Sequence, residues 1–166
     1  MMVYVVRHAQ AEKLGSGATD EARKLTPRGR IKMREAALGM AALGLKFDVI
    51  LTSPLVRAVE TAKLIAEAYG DDVSPQVVEA LATGVPATQA LTALAPHARN
   101  ESVAVVGHEP QLGELVSLLL TGSSDRLRLR LKKGACVAIE LPRRIEPGSG
   151  QLCWMLTQRH LRRLAK

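Results

Sequence analysis

Short, uninterrupted apolar runs alternate along this chain with longer stretches in which apolar residues recur every three or four positions. Val3, Tyr4, Val5 and Val6 form the first run and stop at Arg7 and His8, the pattern of a strand buried on both faces. A polar, glycine-containing loop is expected over 13–24. Thr26-Pro27 then carries a helix-start signal, with threonine as cap and proline at the first helical position. Met33, Ala37, Met40 and Ala41 share one face of that helix, and Gly44 can close it. Residues 48–52 read as the second strand. Ser53-Pro54 repeats the cap-plus-proline signal, and Ala58, Ala62, Ile65 and Tyr69 mark the apolar face of the helix beyond. A weaker strand is expected at Val77-Val78, and Pro86 opens a helical stretch through Leu91 and Leu94. Val103, Ala104, Val105 and Val106 are the cleanest buried strand, and Leu112, Leu115, Val116 and Leu119 stripe the helix after it.

After Gly122 the period changes. Arg126, Arg128, Arg130 and Lys132 alternate with Leu127, Leu129 and Leu131, which predicts a strand with one wet, basic face, protected by its charge if it lies at a sheet edge. Residues 136–141 and 152–156 read as two further strands, followed by a basic tail with Arg159, Arg162, Arg163 and Lys166. Strand and helix in alternation predict the α/β class, as a three-layer α/β/α sandwich with a mostly parallel central sheet and an antiparallel edge from the last two strands. The 166 residues hold no repeat, low-complexity segment or linker, so one domain spanning 1–166 is expected.

Composition narrows the setting. The opening apolar run is short and lacks a small-residue cleavage site, so a cytoplasmic protein is expected. Cys136 and Cys153, the only cysteines, lie in apolar runs without metal-ligand spacing, and both are expected to pack in the core. The formal charge of +7 favours an anionic partner. One Phe, one Trp and two Tyr leave few rings for base stacking, so specific nucleic-acid binding is not expected.

Candidate chemistry gathers where the strands end. In a parallel sheet, ligands bind beyond the carboxyl ends of the strands. Arg7 and His8 follow the first strand, Arg57 the second and His108 the fourth, so distant residues converge on one edge. Arg57 also stands in the first turn of its helix, where the dipole is positive. Two arginines, two histidines and a helix N-terminus suit a phosphate dianion. Neutral imidazole is nucleophilic at pH 7 and forms a hydrolysable phosphoramidate. Forked guanidinium donors can stabilise the equatorial oxygens in place of magnesium, so neither a metal nor a cofactor is expected. His108 can donate one more hydrogen bond to a phosphoryl oxygen. His97 and His160 read as solvated, and Thr26 and Ser53 as helix caps. For Arg57 the structural alternative is an ion pair with Glu60 one turn on.

The elements carrying these residues resemble those of the histidine phosphatase superfamily, also called phosphoglycerate mutase-like. Val5-Val6-Arg7-His8-Ala9-Gln10-Ala11-Glu12 is similar to its Arg-His-Gly element, with alanine in place of the commonest glycine. Leu25-Thr26-Pro27-Arg28-Gly29 resembles its Leu-Thr-x-x-Gly element, and Ser53-Pro54-Leu55-Val56-Arg57-Ala58-Val59-Glu60-Thr61-Ala62 its Ser-Pro-x-x-Arg-Ala-x-x-Thr-Ala element. Val105-Val106-Gly107-His108-Glu109-Pro110 resembles the second catalytic-histidine element. The resemblance implies His8 as the phosphorylated nucleophile and Arg7, Arg57 and His108 as the phosphate pocket. It offers Glu79 or Glu109 as a proton donor; Ser53, besides capping, and Gln10, unless it faces the loop, are candidate substrate contacts by position.

Short length without a lid insertion is most similar to the SixA-type branch. That implies hydrolysis of phosphohistidine on a signalling or phosphotransfer protein, whose bulk an open site admits. Imidazole leaves more readily than an alkoxide, so such a substrate needs no strong acid. The alternatives are a small-molecule phosphomonoesterase on the same site and a non-catalytic polyanion-binding module. The run Arg126, Arg128, Arg130, Lys132 and Lys133 reads either as a solvated strand face or as a dock for an acidic phosphoprotein or other polyanion.

Overall fold

The short apolar runs at 3–6, 49–51 and 103–106 become strands of one sheet. The structure is a computed structural model and describes residues 1–15, 19–70 and 72–166. The strands are β1 (Met2–Arg7), β2 (Val49–Thr52), β3 (Pro75–Val77), β4 (Ser102–Gly107), β5 (Cys136–Glu140) and β6 (Gln151–Leu156). Their spatial order is β3-β2-β4-β1-β5-β6. The first four are parallel, while β5 runs antiparallel to β1 and β6 antiparallel to β5. β1 and β4 lie at the centre with both faces covered, which is why Val3, Val5, Val6 and Val103, Ala104, Val105, Val106 are all buried.

The helices are α1 (Pro27–Ala42), α2 (Val56–Glu67), α3 (Ala87–Leu94), α4 (Gln111–Thr121) and α5 (Gln158–Leu164). Met33, Ala37 and Met40 of α1, Ala58, Ala62 and Ile65 of α2 and Leu161 of α5 join the core on one face of the sheet. Ala87, Ala90 and Leu94 of α3 and Leu112, Leu115, Val116 and Leu119 of α4 form the core on the other. This gives the expected three layers. It also sends the chain from β1 to one face and from β4 to the opposite face, although the two strands are neighbours. The crevice between such divergent connections is where an open α/β sheet binds ligands.

Local signals hold at α1, where the Thr26 side chain accepts from the Gly29 amide and Gly44 follows the end of the helix at φ +73°. Three expectations are corrected. The 126–132 alternation forms no strand. Its leucines turn inward and its arginines outward, but no strand pairs with it, and period two alone does not supply a partner. Ser53 is not a helix cap, because α2 begins at Val56 behind Leu55 and the serine is already committed elsewhere. Cys153 is exposed on the edge strand β6 while Cys136 is buried on β5, and both thiols are free. The basic tail is the helix α5, capped by Thr157 and seated on α1. Of the expected loop 13–24, residues 16–18 lie outside the described residues.

Candidate active site

Register sets the site. Arg7 stands opposite Gly107 and Thr52 opposite Val106, so β1, β2 and β4 end at one level. Just past those ends the His8 amide donates to the Gly107 carbonyl at 3.0 Å and the Ser53 amide to the Val106 carbonyl at 3.0 Å. The backbone ladder therefore carries His8, Ser53 and His108 to the same edge, with the His8 and His108 ring centroids 5.0 Å apart. The first turn of α2 brings Arg57. Thr61, one turn on, ties the two segments: its Oγ1 accepts from the Ala9 amide at 3.1 Å and donates to the Arg57 carbonyl at 2.7 Å. The segment after His8 is fixed from the other side. Thr26 donates its amide to the Gln10 carbonyl, and a Cβ at Gly29 would collide with that same oxygen.

His8 is 5% exposed. Burial drives its pKa down to about 3, against the Ala9 hydrogen bond and with the help of His108, Arg57 and Arg7. The ring is therefore neutral near pH 7. His8 Nδ1 lies 2.7 Å from the Ala9 carbonyl oxygen. A carbonyl only accepts, so the single ring proton sits on Nδ1 and Nε2 keeps its lone pair. This is the tautomer a nucleophile at Nε2 requires.

Near that ring stand donors in excess of their partners. Arg7 Nη1 donates to the Leu131 carbonyl at 2.8 Å. Arg57 is 3% exposed, and its Nη1 and Nη2 donate to the Asp20 carbonyl and Oδ2 at 2.6 and 2.7 Å. Burial opposes ionisation of Asp20, but Arg57 and Arg23 outweigh it and hold the carboxyl below its ordinary range. Arg7 Nε, Arg23 Nε, Arg57 Nε and His108 Nδ1 are buried without a hydrogen-bond partner. Unpaired buried donors are costly, each by about 1–3 kcal/mol, and several of them grouped around one imidazole suit an anion with several oxygens.

His108 Nε2 lies 2.7 Å from Ser53 Oγ. That oxygen already accepts from the Leu55 amide at 3.3 Å, so its own O–H can donate to Nε2, which leaves the His108 proton on Nδ1. Burial and then Arg57 lower the His108 pKa to about 4.

Arg7, His8, Arg57 and His108 thus converge. Ser53 joins them through His108, and Glu60 does not pair with Arg57: it accepts from the Leu25 amide and pairs with Arg30. Gln10 is exposed and holds Thr26 through its backbone. Neither candidate acid stands free in the ring of donors. Glu79 is exposed on the short helical turn Glu79–Leu81. Glu109 turns to the first turn of α4, where its Oε2 accepts from the Gly113 amide at 3.2 Å, and burial raises its pKa. Sequence reasoning missed Asp20 and Arg23, which lie in a loop with no periodic signal. It passed over Thr61, although that residue stands in the motif around Arg57.

Comparison with known proteins agrees with this geometry. Residues 3–83 match the histidine phosphatase superfamily (branch 1). An uncharacterised protein of Picosynechococcus sp. is 34% identical over 141 residues, 84% of each chain. The fold matches a solved structure of the protein histidine phosphatase SixA complexed with tungstate at TM-score 0.82 and 24% identity, over 97% of this chain and 99% of that one. It also matches the alpha-ribazole phosphatase of Shigella flexneri at TM-score 0.71 and 16% identity, over 95% and 97%. The chain belongs to the histidine phosphatase superfamily and is a phosphatase, and it shares its fold with SixA. Among the described residues no helix is long and apolar enough to cross a membrane.

Proposed function

We propose that the protein hydrolyses phosphohistidine on a partner protein through a phosphorylated His8. The observation that carries the reading is the tautomer: a neutral, buried His8 whose Nδ1 proton is committed to Ala9, beside donors that have no other partner. Nε2 attacks phosphorus as the bond to the substrate imidazole breaks, and that imidazole takes a proton from water. Water then attacks phospho-His8, the new N–P bond breaks, and inorganic phosphate leaves with Nε2 restored. Arg7, Arg57 and His108 hold the phosphoryl oxygens in both steps.

A protein substrate is supported by the short connections at 78–86 and 108–110, the first holding only the helical turn Glu79–Leu81 and the second no helix or strand. Two free cysteines suit a cytoplasmic setting. A second reading, a small-molecule phosphomonoesterase, draws on Glu109, whose burial-raised pKa favours holding the proton that an alkoxide needs.

Phosphate release from a phosphohistidine peptide and from an aryl phosphate, in wild type and His8→Ala, tests both readings. The first expects strong preference for the peptide, no turnover by the variant, and an alkali-stable, acid-labile phosphoryl group on wild-type His8. Preference for the ester selects the second.

A further inference from the structure

The ribbon 126–133 is irregular and stands beside the active site. Arg126, Arg128, Arg130, Lys132 and Lys133 are all exposed, and none forms an ion pair among the described residues. The leucines between them are turned in, with Leu131 1% exposed. The ribbon is fastened to the catalytic edge: Leu131 offers its carbonyl to Arg7, and the Gly134 amide donates to the carbonyls of Arg7 and His8 at 3.0 and 3.2 Å. At its inner end, burial and the repulsion of Arg7, Arg23 and Arg57 push the Lys133 ammonium below its ordinary range, so the ribbon begins within reach of the pocket's arginines. The outer end borders a groove of about 460 Å³ against the start of α4, where Leu127, Leu129, Arg128 and Arg130 face Glu109 and Glu114.

We propose that this ribbon and groove dock an acidic polypeptide segment adjoining the phosphohistidine of the substrate protein. The inference rests on the phosphohistidine reading and names the chemistry of the partner. A uniform polyanion fits less well, because Glu109 and Glu114 line the groove and would repel it, while a polypeptide can set apolar or basic groups against that wall. Nucleic acid is disfavoured because all four aromatic rings are committed to one packed cluster, Tyr4 with Phe47 and Trp154, and Phe47 with Tyr69. From Leu131 to Arg126 an extended chain covers at most about 17 Å, so acidic residues within roughly that reach of the phosphohistidine engage the ribbon.

Two phosphohistidine peptides test this, one flanked by a run of Glu and Asp and one by Ser and Gly. Wild type should favour the acidic peptide in kcat/KM by about tenfold or more at low salt, with the preference fading as salt rises. R126Q/R128Q/R130Q should lose the preference while its rate on the neutral peptide is unchanged. R99Q/R143Q/R144Q, an equal charge change among exposed residues at the opposite edge of the sheet, should keep it. Equal rates on both wild-type peptides, or a preference that survives in the ribbon variant, overturns the proposal. Anisotropy of the labelled, unphosphorylated acidic peptide reads the surface even if neither phosphopeptide is hydrolysed. Binding lost in the ribbon variant alone then supports docking with the phosphohistidine reading rejected. Binding of polyphosphate through the same arginines without binding of the peptide overturns the polypeptide assignment.

Discussion

Ser53 shows how much depends on one hydroxyl at the end of a strand. It is fully buried, its amide continues the β2–β4 ladder, and its Oγ meets both the Leu55 amide and His108 Nε2. Removing the oxygen leaves a buried ring nitrogen without a partner and frees the His108 proton to choose its tautomer. We expect Ser53→Ala to fold normally and lower kcat about tenfold, the order of one hydrogen bond of about 1.4 kcal/mol. Combined with His108→Ala it should add almost nothing, since both changes remove one linked interaction. A full multiplicative loss in the double variant would show that Ser53 acts independently of His108. Arg7, His8, Arg57 and His108 were legible because each follows a recognisable strand or opens a helix. Ser53 was misassigned because the adjacent Pro54 imitates a helix start, while α2 begins two residues later at Val56. Asp20 was not legible at all. Its role exists only because the loop brings it to Arg57, and nothing in local sequence encodes that meeting.

At the scale of elements, the least legible piece is also closely fitted. α5 has seven residues and one buried side chain, Leu161 at 0% exposure, too little apolar periodicity to announce a helix. Its stability comes from α1. A Cβ at Gly39 would overlap the Leu161 carbonyl, so the glycine is what lets the two helices touch. Arg162 pairs with Glu35 across the same contact. Alanine at an exposed helical glycine would stabilise by about 1 kcal/mol, but here the overlap should win. Gly39→Ala is expected to destabilise by about 1–3 kcal/mol and Leu161→Ala by about 2–5 kcal/mol in urea unfolding. A neutral or stabilising Gly39→Ala would mean that α5 sits loosely on α1. The ribbon 126–133 failed in the opposite way. Its alternation correctly gave which side chains face in, but a strand also needs a neighbour with free backbone groups. The ribbon does not reach either edge strand, β3 or β6, and instead spends the Leu131 carbonyl on Arg7 at the strand ends.

For the whole molecule, His8 and His108 tie stability to pH. The fold buries two imidazoles at the crevice where β1 and β4 diverge, and it does so among arginines. Their pKa values in the folded protein, about 3 for His8 and about 4 for His108, lie below the ordinary 6.5. Above about pH 6.5 both rings are neutral in folded and unfolded chains alike, and nothing is lost. As pH falls from there toward 4, the unfolded chain takes up protons that the folded one refuses. Stability must then fall with pH, by up to about 1.4 kcal/mol per unit for each ring. Asp20, held below its ordinary 3.8, adds to the loss only at lower pH. We therefore expect urea midpoints to drop between pH 7 and pH 5, and His8→Gln/His108→Gln to abolish most of that drop while eliminating turnover. Orthophosphate binds only the folded site, so it should raise the midpoint and flatten the slope, since a dianion among the donors makes a protonated His108 tolerable. If the double variant keeps the full slope, carboxylates elsewhere carry it. The two rings would then be protonating in the folded protein, and an imidazolium His8 has no lone pair at Nε2 with which to attack phosphorus.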